Sequence, residues 1–177
     1  MSFLNTVLKS FLGDKNAKDL KEVKKVVTKI KAVESGIQSL SDDGLRDKTA
    51  EFKEKIKSAT AKFTTQIDEI KEQIKNSTNV DEKEALFTKI EGLKKESYDV
   101  EEKVLGEILP EAFALVKETS RRLAQNGEIR VTAIERDREL AATKDFVVLE
   151  GDTAVWKNSW DAAGTPVVWD MVHYDTQ

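Results

Sequence analysis

Apolar residues recur every three or four positions along most of the chain, which is the spacing of amphipathic helices. The first long pattern predicts a helix from about Ala17 to Leu40 with its Lys residues facing outward. Ser41-Asp42-Asp43-Gly44 predicts a break and a new N-cap, since Ser and Asp accept hydrogen bonds from the free N–H groups of a first helical turn. The inner stripe of the first helix is Leu20, Val23, Val26, Val27, Ile30, Val33, Ile37 and Leu40.

Two further apolar runs predict an antiparallel helical hairpin. Each run advances in steps of four and three, and Asn76-Ser77-Thr78-Asn79 separates them with turn-forming residues. Two helices of about 25 residues can bury such narrow seams against each other within one chain, so an intermolecular coiled coil is the less favoured alternative. The seams are Phe52, Ile56, Ala59, Phe63, Ile67, Ile70 and Ile74, and Leu86, Ile90, Leu93, Ser97, Val100, Val104 and Ile108.

The last third of the chain changes from a helical to a strand pattern. Pro110 is predicted to begin a helix that ends at Gly127, with Phe113, Val116 and Leu123 on one side. Beyond it, alternating residues predict strands at 129–133, 146–149 and 154–156, and Gly151-Asp152 predicts a turn. All three Trp residues, 156, 160 and 169, lie in this region, which indicates a compact core. The predicted fold class is mainly α with a small antiparallel β region: N-terminal helices, a long antiparallel helical hairpin and a small sheet near the C-terminus.

The first residues predict a short amphipathic helix that ends at Gly13-Asp14. Eight Lys and three acidic residues between Met1 and Lys31 make this end basic, although the chain carries a net charge of -4. Apolar residues beside Lys favour binding to a membrane surface rich in acidic phospholipids. Packing of the same stripe on the core of the chain remains an alternative. The residues predicted to bind the membrane are Phe3, Leu4, Val7, Leu8, Lys9, Phe11 and Leu12.

Several kinds of chemistry are excluded by the sequence. The chain has no Cys and a single histidine, His173, so it offers neither thiol catalysis nor a Cys or multi-histidine metal site. It contains no G-x-x-x-x-G-K-[ST], H-E-x-x-H or G-x-S-x-G motif, so no catalytic residues are predicted. No apolar run is long enough to span a bilayer, and no signal peptide is evident. We therefore expect a cytoplasmic location, peripheral on the inner face of the cell membrane.

Three segments of the chain resemble the sequence motifs of one known protein family. The residues from Ser39 to Phe52 resemble the family pattern L-S-[DN]-x-x-L-x-x-K-T-x-E-[FL], and the residues from Leu109 to Glu118, with Arg121 and Arg122, resemble L-P-E-A-F-A-V-V-R-E. The residues from Met171 to Gln177 resemble M-R-H-[FY]-D-V-Q, which in the family comes directly before the strand and Walker A loop of the ATP site. This is the SecA family of protein-export motors, and the resemblance implies the N-terminal segment of such a motor, in a longer variant with insertions.

The resemblance implies a nucleotide, ATP, and an adenine contact at the end of the chain. Gln177 corresponds to the glutamine that hydrogen-bonds adenine, and Met171 and Tyr174 would form the wall beside the base. Thr176 stands where the family usually has Val. Without Walker A and B motifs, the chain alone should bind ATP weakly or not at all and have no ATPase activity. The implied partners are the SecYEG channel, acidic phospholipids and preprotein substrates, and a homodimer is left open.

The family pattern divides the chain into six segments. These are 1–15, the membrane- and channel-contacting helix; 16–56, a helical segment; 57–108, an inserted helical hairpin; 109–126, a helix leading into the motor; 127–168, an inserted β-rich region; and 169–177, the start of the nucleotide-binding domain. A stand-alone hairpin adaptor that binds a partner helix is the alternative function. A nucleic-acid partner is disfavoured because residues 3–12 are apolar and no surface of aromatic and basic residues is evident.

Overall fold

The computed structural model describes the backbone of residues 15–175 and the side chains of residues 18–175. The predicted helix of residues 3–12 lies outside this part of the chain. The predicted fold class is confirmed: the described residues form mainly helices, followed by two small antiparallel sheets. In order, the elements are α1 (Lys15–Gln38), α2 (Asp42–Asn76), α3 (Val80–Asn126), β1 (Glu128–Thr132), α4 (Glu135–Ala141), β2 (Val147–Glu150), β3 (Thr153–Lys157), β4 (Ser159–Ala162) and β5 (Thr165–Val168).

The predicted helical hairpin forms one of two compact units, Arg46–Leu109. Its seam residues are buried or half-buried, whereas the charged residues between them face solvent. Lys55 and Glu107 join the two helices through an ion pair of 3.4 Å, which fits their antiparallel arrangement. Asn79 caps α3, because its Oδ1 accepts hydrogen bonds from the backbone N–H of Asp81 at 2.9 Å and of Glu82 at 3.3 Å.

Pro110 lies inside α3 and does not begin a helix, so this prediction was wrong. Proline has no N–H, and within a helix it leaves the carbonyl four residues earlier, here that of Gly106, without its usual partner. The cost is about 3 kcal/mol. Burial of Ile108 on one side of the proline and of Ala114 and Leu115 on the other offsets this cost, so the helix continues. The chain divides into its two compact units at the same place, between Leu109 and Pro110.

The second compact unit contains residues 1–45 and 110–177. Within it, the predicted inner stripe of α1 is buried toward the C-terminal end of the helix only. Ile37 is buried, but Leu20, Val23 and Val26 are exposed, Leu20 by 57%. The prediction for this part of the stripe was therefore wrong. A groove lies between α1, α3 and residues 173–175. The α1 residues that line it begin at Val27, so the groove does not include Leu20, Val23 or Val26.

A three-stranded antiparallel sheet in the order β1-β3-β2 follows α3. Gly127 ends α3 with a φ of 75°, a conformation that glycine adopts without strain. Gly151-Asp152 forms the predicted turn, because Glu150 pairs with Thr153 across it. Ile129, Val131 and Ala154 form the centre of the core, with Leu123 and Trp156 packed against it. The predicted small sheet is therefore confirmed.

Two elements of this region were not predicted. The short helix α4 follows β1 and packs against β2. The hairpin of β4 and β5 turns at Ala163-Gly164, where both residues have a positive φ. Asp137 anchors α4 to the sheet: it is buried, and its carboxylate accepts hydrogen bonds from Ile134 N–H at 2.9 Å and from the indole Nε1–H of Trp156 at 3.2 Å.

Candidate functional site

Four charged side chains form a cluster, the Lys117 cluster, that holds the end of the described chain against two helices. Lys117 on α3 contacts Glu34 on α1 and Asp175, each at 2.7 Å. Lys31 on α1 contacts the other oxygen of Asp175 at 2.6 Å. Because Asp175 is bound from both helices, the cluster fixes the position of the residues just before Gln177.

The Lys117 cluster changes the charge properties of its members. Hydrogen bonds from Lys117 and then from Lys31 lower the pKa of Asp175 from 3.8 to about 2. Hydrogen bonds to Asp175 and Glu34 raise the pKa of Lys117 above its ordinary value, against the opposing effect of burial. Both shifts favour the ionised forms. Asp175 and Lys117 are therefore both charged throughout the physiological pH range.

An apolar groove of about 330 Å³ lies beside the Lys117 cluster. Phe113 and Val116, which were predicted to share one side of the helix after Pro110 with Leu123, are both exposed and line this groove. The buried side of that helix instead carries Ala114, Leu115, Glu118 and Arg122. The groove is lined by Val27, Ile30, Lys31, Glu34, Ala112, Phe113, Val116, Lys117, His173, Tyr174 and Asp175.

His173 and Trp169 stack on each other, with ring centroids 6.2 Å apart. Trp169 is held through its backbone, since its N–H donates to the Asn158 carbonyl at 2.6 Å and its own carbonyl accepts from Asn158 Nδ2 at 3.3 Å. The Nδ1 atom of His173 and the Nε1 atom of Trp169 are buried and have no hydrogen-bond partner among the described residues. His173 also lines the groove.

The residues predicted to contact adenine are only partly brought together. Tyr174 lines the groove and exposes 76% of its surface. Met171 is also exposed but is not part of the groove lining. Gln177 lies outside the described residues, as do the predicted membrane-binding residues. Their roles remain predictions.

A buried arginine cluster, which sequence analysis missed, joins α3 to the break between α1 and α2. Arg122 donates to Asp42 at 2.6 Å, to Glu118 at 2.7 Å and to the backbone carbonyls of Leu40 at 2.6 Å and Gln38 at 3.2 Å. The Gln38 carbonyl lies at the C-terminal end of α1, where helical partners are missing, and the Leu40 carbonyl lies in the break that follows. A single guanidinium therefore closes the end of one helix and pairs with the start of the next.

Glu118 is the centre of the arginine cluster and is almost completely buried. It also accepts two hydrogen bonds from Arg121, at 2.6 and 2.7 Å. Burial alone would raise the pKa of Glu118, but the hydrogen bonds from Arg121 and Arg122 outweigh it, so the pKa lies below its ordinary value. The cluster is therefore ionised and has a structural role. The L-P-E-A-F resemblance included both arginines, but no sequence signal indicated their partners.

The predicted N-cap at Ser41 is confirmed, because its Oγ accepts a hydrogen bond from Gly44 N–H at 3.0 Å. The two residues that follow Ser41 bind the free edge of β1. Asp43 accepts from Thr132 N–H at 2.7 Å and from the Thr132 hydroxyl at 2.9 Å, while Asp42 accepts from Arg130 N–H at 3.3 Å. The first turn of α2 thus satisfies backbone donors that a neighbouring strand would otherwise use.

Residues 15–175 contain neither a cluster of metal-ligating side chains nor a helix suited to span a membrane. This part of the chain has no group of three or more His, Asp or Glu side chains arranged to hold a metal ion. None of its helices contains a stretch that is both long and apolar enough to cross a membrane.

Comparison with known families identifies the class of this helical protein. A family model described as the SecA DEAD-like domain matches residues 8–177. The chain belongs to this family. The resemblance seen in its sequence motifs is thereby confirmed.

Curated relatives match along the whole chain. "Protein translocase subunit SecA" of Christiangramia forsetii is 51% identical and that of Flavobacterium psychrophilum 49%, each over 177 residues and all of this chain. The protein of the same name from Bacteroides fragilis is 46% identical over 173 residues. The chain spans only 16% of the length of each of these relatives. No solved structure matches the chain.

Proposed function

We propose that this chain serves as the N-terminal part of an ATP-driven protein-export motor that works on preproteins at the SecYEG channel. The observation that carries the proposal is the match to the SecA DEAD-like domain over residues 8–177. Relatives named as translocase subunits cover the same residues and continue far beyond them. Because the chain has no phosphate-binding G-x-x-x-x-G-K-[ST] loop, we expect no ATPase activity from it alone.

Within such a motor, α1 would connect the membrane-proximal end with the nucleotide-binding end. The amphipathic residues 3–12 come just before α1, and Lys31 and Glu34 on α1 belong to the Lys117 cluster that holds Asp175. Only Thr176 separates Asp175 from Gln177, the predicted adenine contact. A shift of α1 would therefore be passed to the adenine-contacting segment through two ion pairs.

The residues of the groove fit the base of a nucleotide better than its phosphates. Tyr174 offers a largely exposed aromatic side chain for stacking, and Phe113 and Val116 form an apolar wall. The Gln177 amide offers both a donor and an acceptor, which matches the adenine edge. ATP would supply the free energy of hydrolysis, whereas these residues would only bind and orient its base.

Base binding is tested by NMR titration of the chain with AMP at millimolar concentrations, because weak binding remains visible there. We expect chemical shifts to change at Tyr174, His173 and Trp169. The Tyr174→Ala variant should lose these changes and Tyr174→Phe should keep them, since only the ring is needed for stacking. GMP is the control for base recognition. Equal responses of the Ala and Phe variants would contradict the assignment of Tyr174.

Membrane attachment is tested by co-sedimentation with anionic and neutral liposomes at low and high salt. We expect salt-sensitive binding to anionic vesicles that is lost when residues 1–12 are removed. Leu8→Lys and Asn5→Lys form a matched pair, because each adds one positive charge, the first on the apolar side and the second on the polar side. Leu8→Lys should weaken binding and Asn5→Lys should strengthen it. If both strengthen binding, charge alone attracts the chain and the apolar side does not insert.

A further inference from the structure

The two outer edges of the three-stranded sheet differ in how the described residues cover them. Strands β1 and β2 flank β3, so each has one edge that pairs with β3 and one edge that faces outward. The outward N–H groups of β1, at Arg130 and Thr132, donate to Asp42 and Asp43. The outward edge of β2 has no corresponding cover within residues 15–175.

The direction of the backbone groups of β2 follows from its pairing with β3. Lys157 N–H donates to the Phe146 carbonyl at 2.8 Å, and in an antiparallel pair every second residue of a strand bonds to the same neighbour. Val148 therefore points its N–H and C=O groups toward β3, whereas Val147 and Leu149 point theirs outward. These outward groups have no hydrogen-bond partner in the part of the chain that the structure describes. Two donors and two acceptors are left for another strand.

A groove of about 510 Å³ lies at this edge, beside the end of α4. Val147, Val148 and Leu149 all line it, although successive side chains of a strand point to opposite sides of the sheet. A groove that contacts three consecutive residues must therefore lie against the edge of the strand itself. Ala141 and Ala142 also line the groove, and their small side chains leave room for an incoming chain.

The charged side chains of the groove favour an acidic occupant. Lys144 is exposed and has no ion-pair partner among the described residues. The ion pair of Arg138 with Asp152 measures 3.8 Å, which is too long for a hydrogen bond, so the guanidinium can still donate to a carboxylate. Asp145, the acidic residue of the described lining, already accepts a hydrogen bond from Asp161 N–H at 3.2 Å.

The two cations lie toward opposite ends of β2. Lys144 precedes the strand by three residues, and Asp152, the partner of Arg138, follows it by two. In an extended peptide, side chains four residues apart are on the same side and about 13 Å from each other. Two carboxylates at this spacing, with an apolar side chain between them, would match the two cations and the apolar part of the groove.

We propose that β2 receives an extended acidic peptide from another protein as a fourth strand of the sheet. The backbone groups of Val147 and Leu149 bind the peptide backbone, and Arg138 and Lys144 select a peptide that carries carboxylates. This site shares no residue with the groove beside the Lys117 cluster. The proposal does not depend on ATP, SecYEG or membrane binding, so it can fail without affecting the proposed function.

Strand addition is tested by NMR with the acetylated and amidated peptide Thr-Glu-Thr-Val-Thr-Glu-Thr at millimolar concentration. Near saturation, hydrogen exchange at the Val147 and Leu149 amides should slow about fivefold to tenfold, because both become hydrogen-bonded. The Val148 amide already bonds to β3 and should change little. Equal protection of all three amides, or protection of none, would overturn the proposal.

Two N-methylated peptides distinguish strand pairing from attraction by charge. Methyl groups on alternate amides of the peptide remove the hydrogen-bond donors from one edge of its strand only. One of the two alternate sets faces β2, so one methylated peptide should lose binding and the other should keep it. If both peptides bind, or if neither does, the peptide is not added as a strand.

The chemistry of the partner is tested by replacing both Glu residues of the peptide with Gln or with Lys. The acidic peptide should bind most tightly and the basic peptide least, and any other order would contradict the assignment. Lys144→Glu should weaken binding of the acidic peptide about three- to tenfold. Lys53→Glu is the matched control, because it makes the same charge change at an exposed position in the helical hairpin. An equal loss in both variants would show that net charge, and not this groove, attracts the peptide.

Dilution of the chain without peptide tests the other possible occupant, a second copy of the chain. The chemical shifts of Val147 and Leu149 should stay constant over an about tenfold dilution, because the edge is empty until the peptide is added. A change confined to these residues would show that the edge pairs with another copy, and it would overturn the proposal.

Discussion

Replacing Arg122 with Met should strongly destabilise the unit that contains α1 and the sheets. The side chain is 11% exposed and donates to Asp42, Glu118 and the carbonyls of Gln38 and Leu40. Breaking a buried ion pair by removing one partner costs about 3 to 5 kcal/mol. Glu118 would keep its hydrogen bonds from Arg121, so we expect a value near the lower limit, about 3 kcal/mol.

The free energy of unfolding can be measured by urea denaturation followed by tryptophan fluorescence. All three Trp residues lie in this unit, so the signal reports on it and not on the helical hairpin. Arg121→Met is the matched control, because Arg121 shares Glu118 as a partner but is 38% exposed, and its loss should cost less than about 1 kcal/mol. If Arg122→Met were no more destabilising than Arg121→Met, the reasoning from burial would be refuted.

Three further predictions concern single residues. The carboxyl group of Asp175 should titrate near its lowered pKa of about 2 in an NMR experiment. Its contribution to stability should be complete above pH 3.8, the ordinary pKa, and should disappear as the pH falls toward 2. A titration midpoint at the ordinary pKa would contradict the contacts with Lys117 and Lys31. Asp137→Ala should cost about 2 to 3 kcal/mol in urea denaturation, since it leaves Trp156 Nε1–H and Ile134 N–H without partners; a loss below that of an exposed Asp145→Ala control would contradict this role. Gly127→Ala should cost about 1 kcal/mol because of its positive φ, whereas the same change at Gly36, inside α1, should be neutral or stabilising.

The long helices could be predicted because their seams repeat over many turns. Phe63, Ile70 and Ile90 are buried, as the periodicity predicted. The polar residues 76–79 marked the turn between the two helices, and Asn79 caps the second helix. The helix α4 has only seven residues, too few for a periodic pattern to stand out. The turn of β4 and β5 places Ala163 at a positive φ, which alanine rarely adopts and which its sequence does not signal.

The candidate site was less predictable for two physical reasons. Periodicity shows which residues share a side of a helix but not which side is covered. The predicted side of Phe113 and Val116 therefore did not reveal that both residues are exposed. Charged residues are expected in solvent, whereas Arg122 is buried by partners that are distant in the sequence. Tyr174 was proposed as a site residue from the family motif alone, and the groove that it lines could be seen only in the structure.

The contact of Asp42 and Asp43 with β1 has a consequence for solubility. A strand from another molecule could extend the sheet beyond β1 only by displacing carboxylates that already accept hydrogen bonds from Arg130 N–H, Thr132 N–H and the Thr132 hydroxyl. An incoming strand would also have to approach this negative charge with its own carbonyl oxygens. The start of α2 therefore acts as a stop to sheet growth, and loss of these two acidic side chains would turn a folded protein into a template for aggregation.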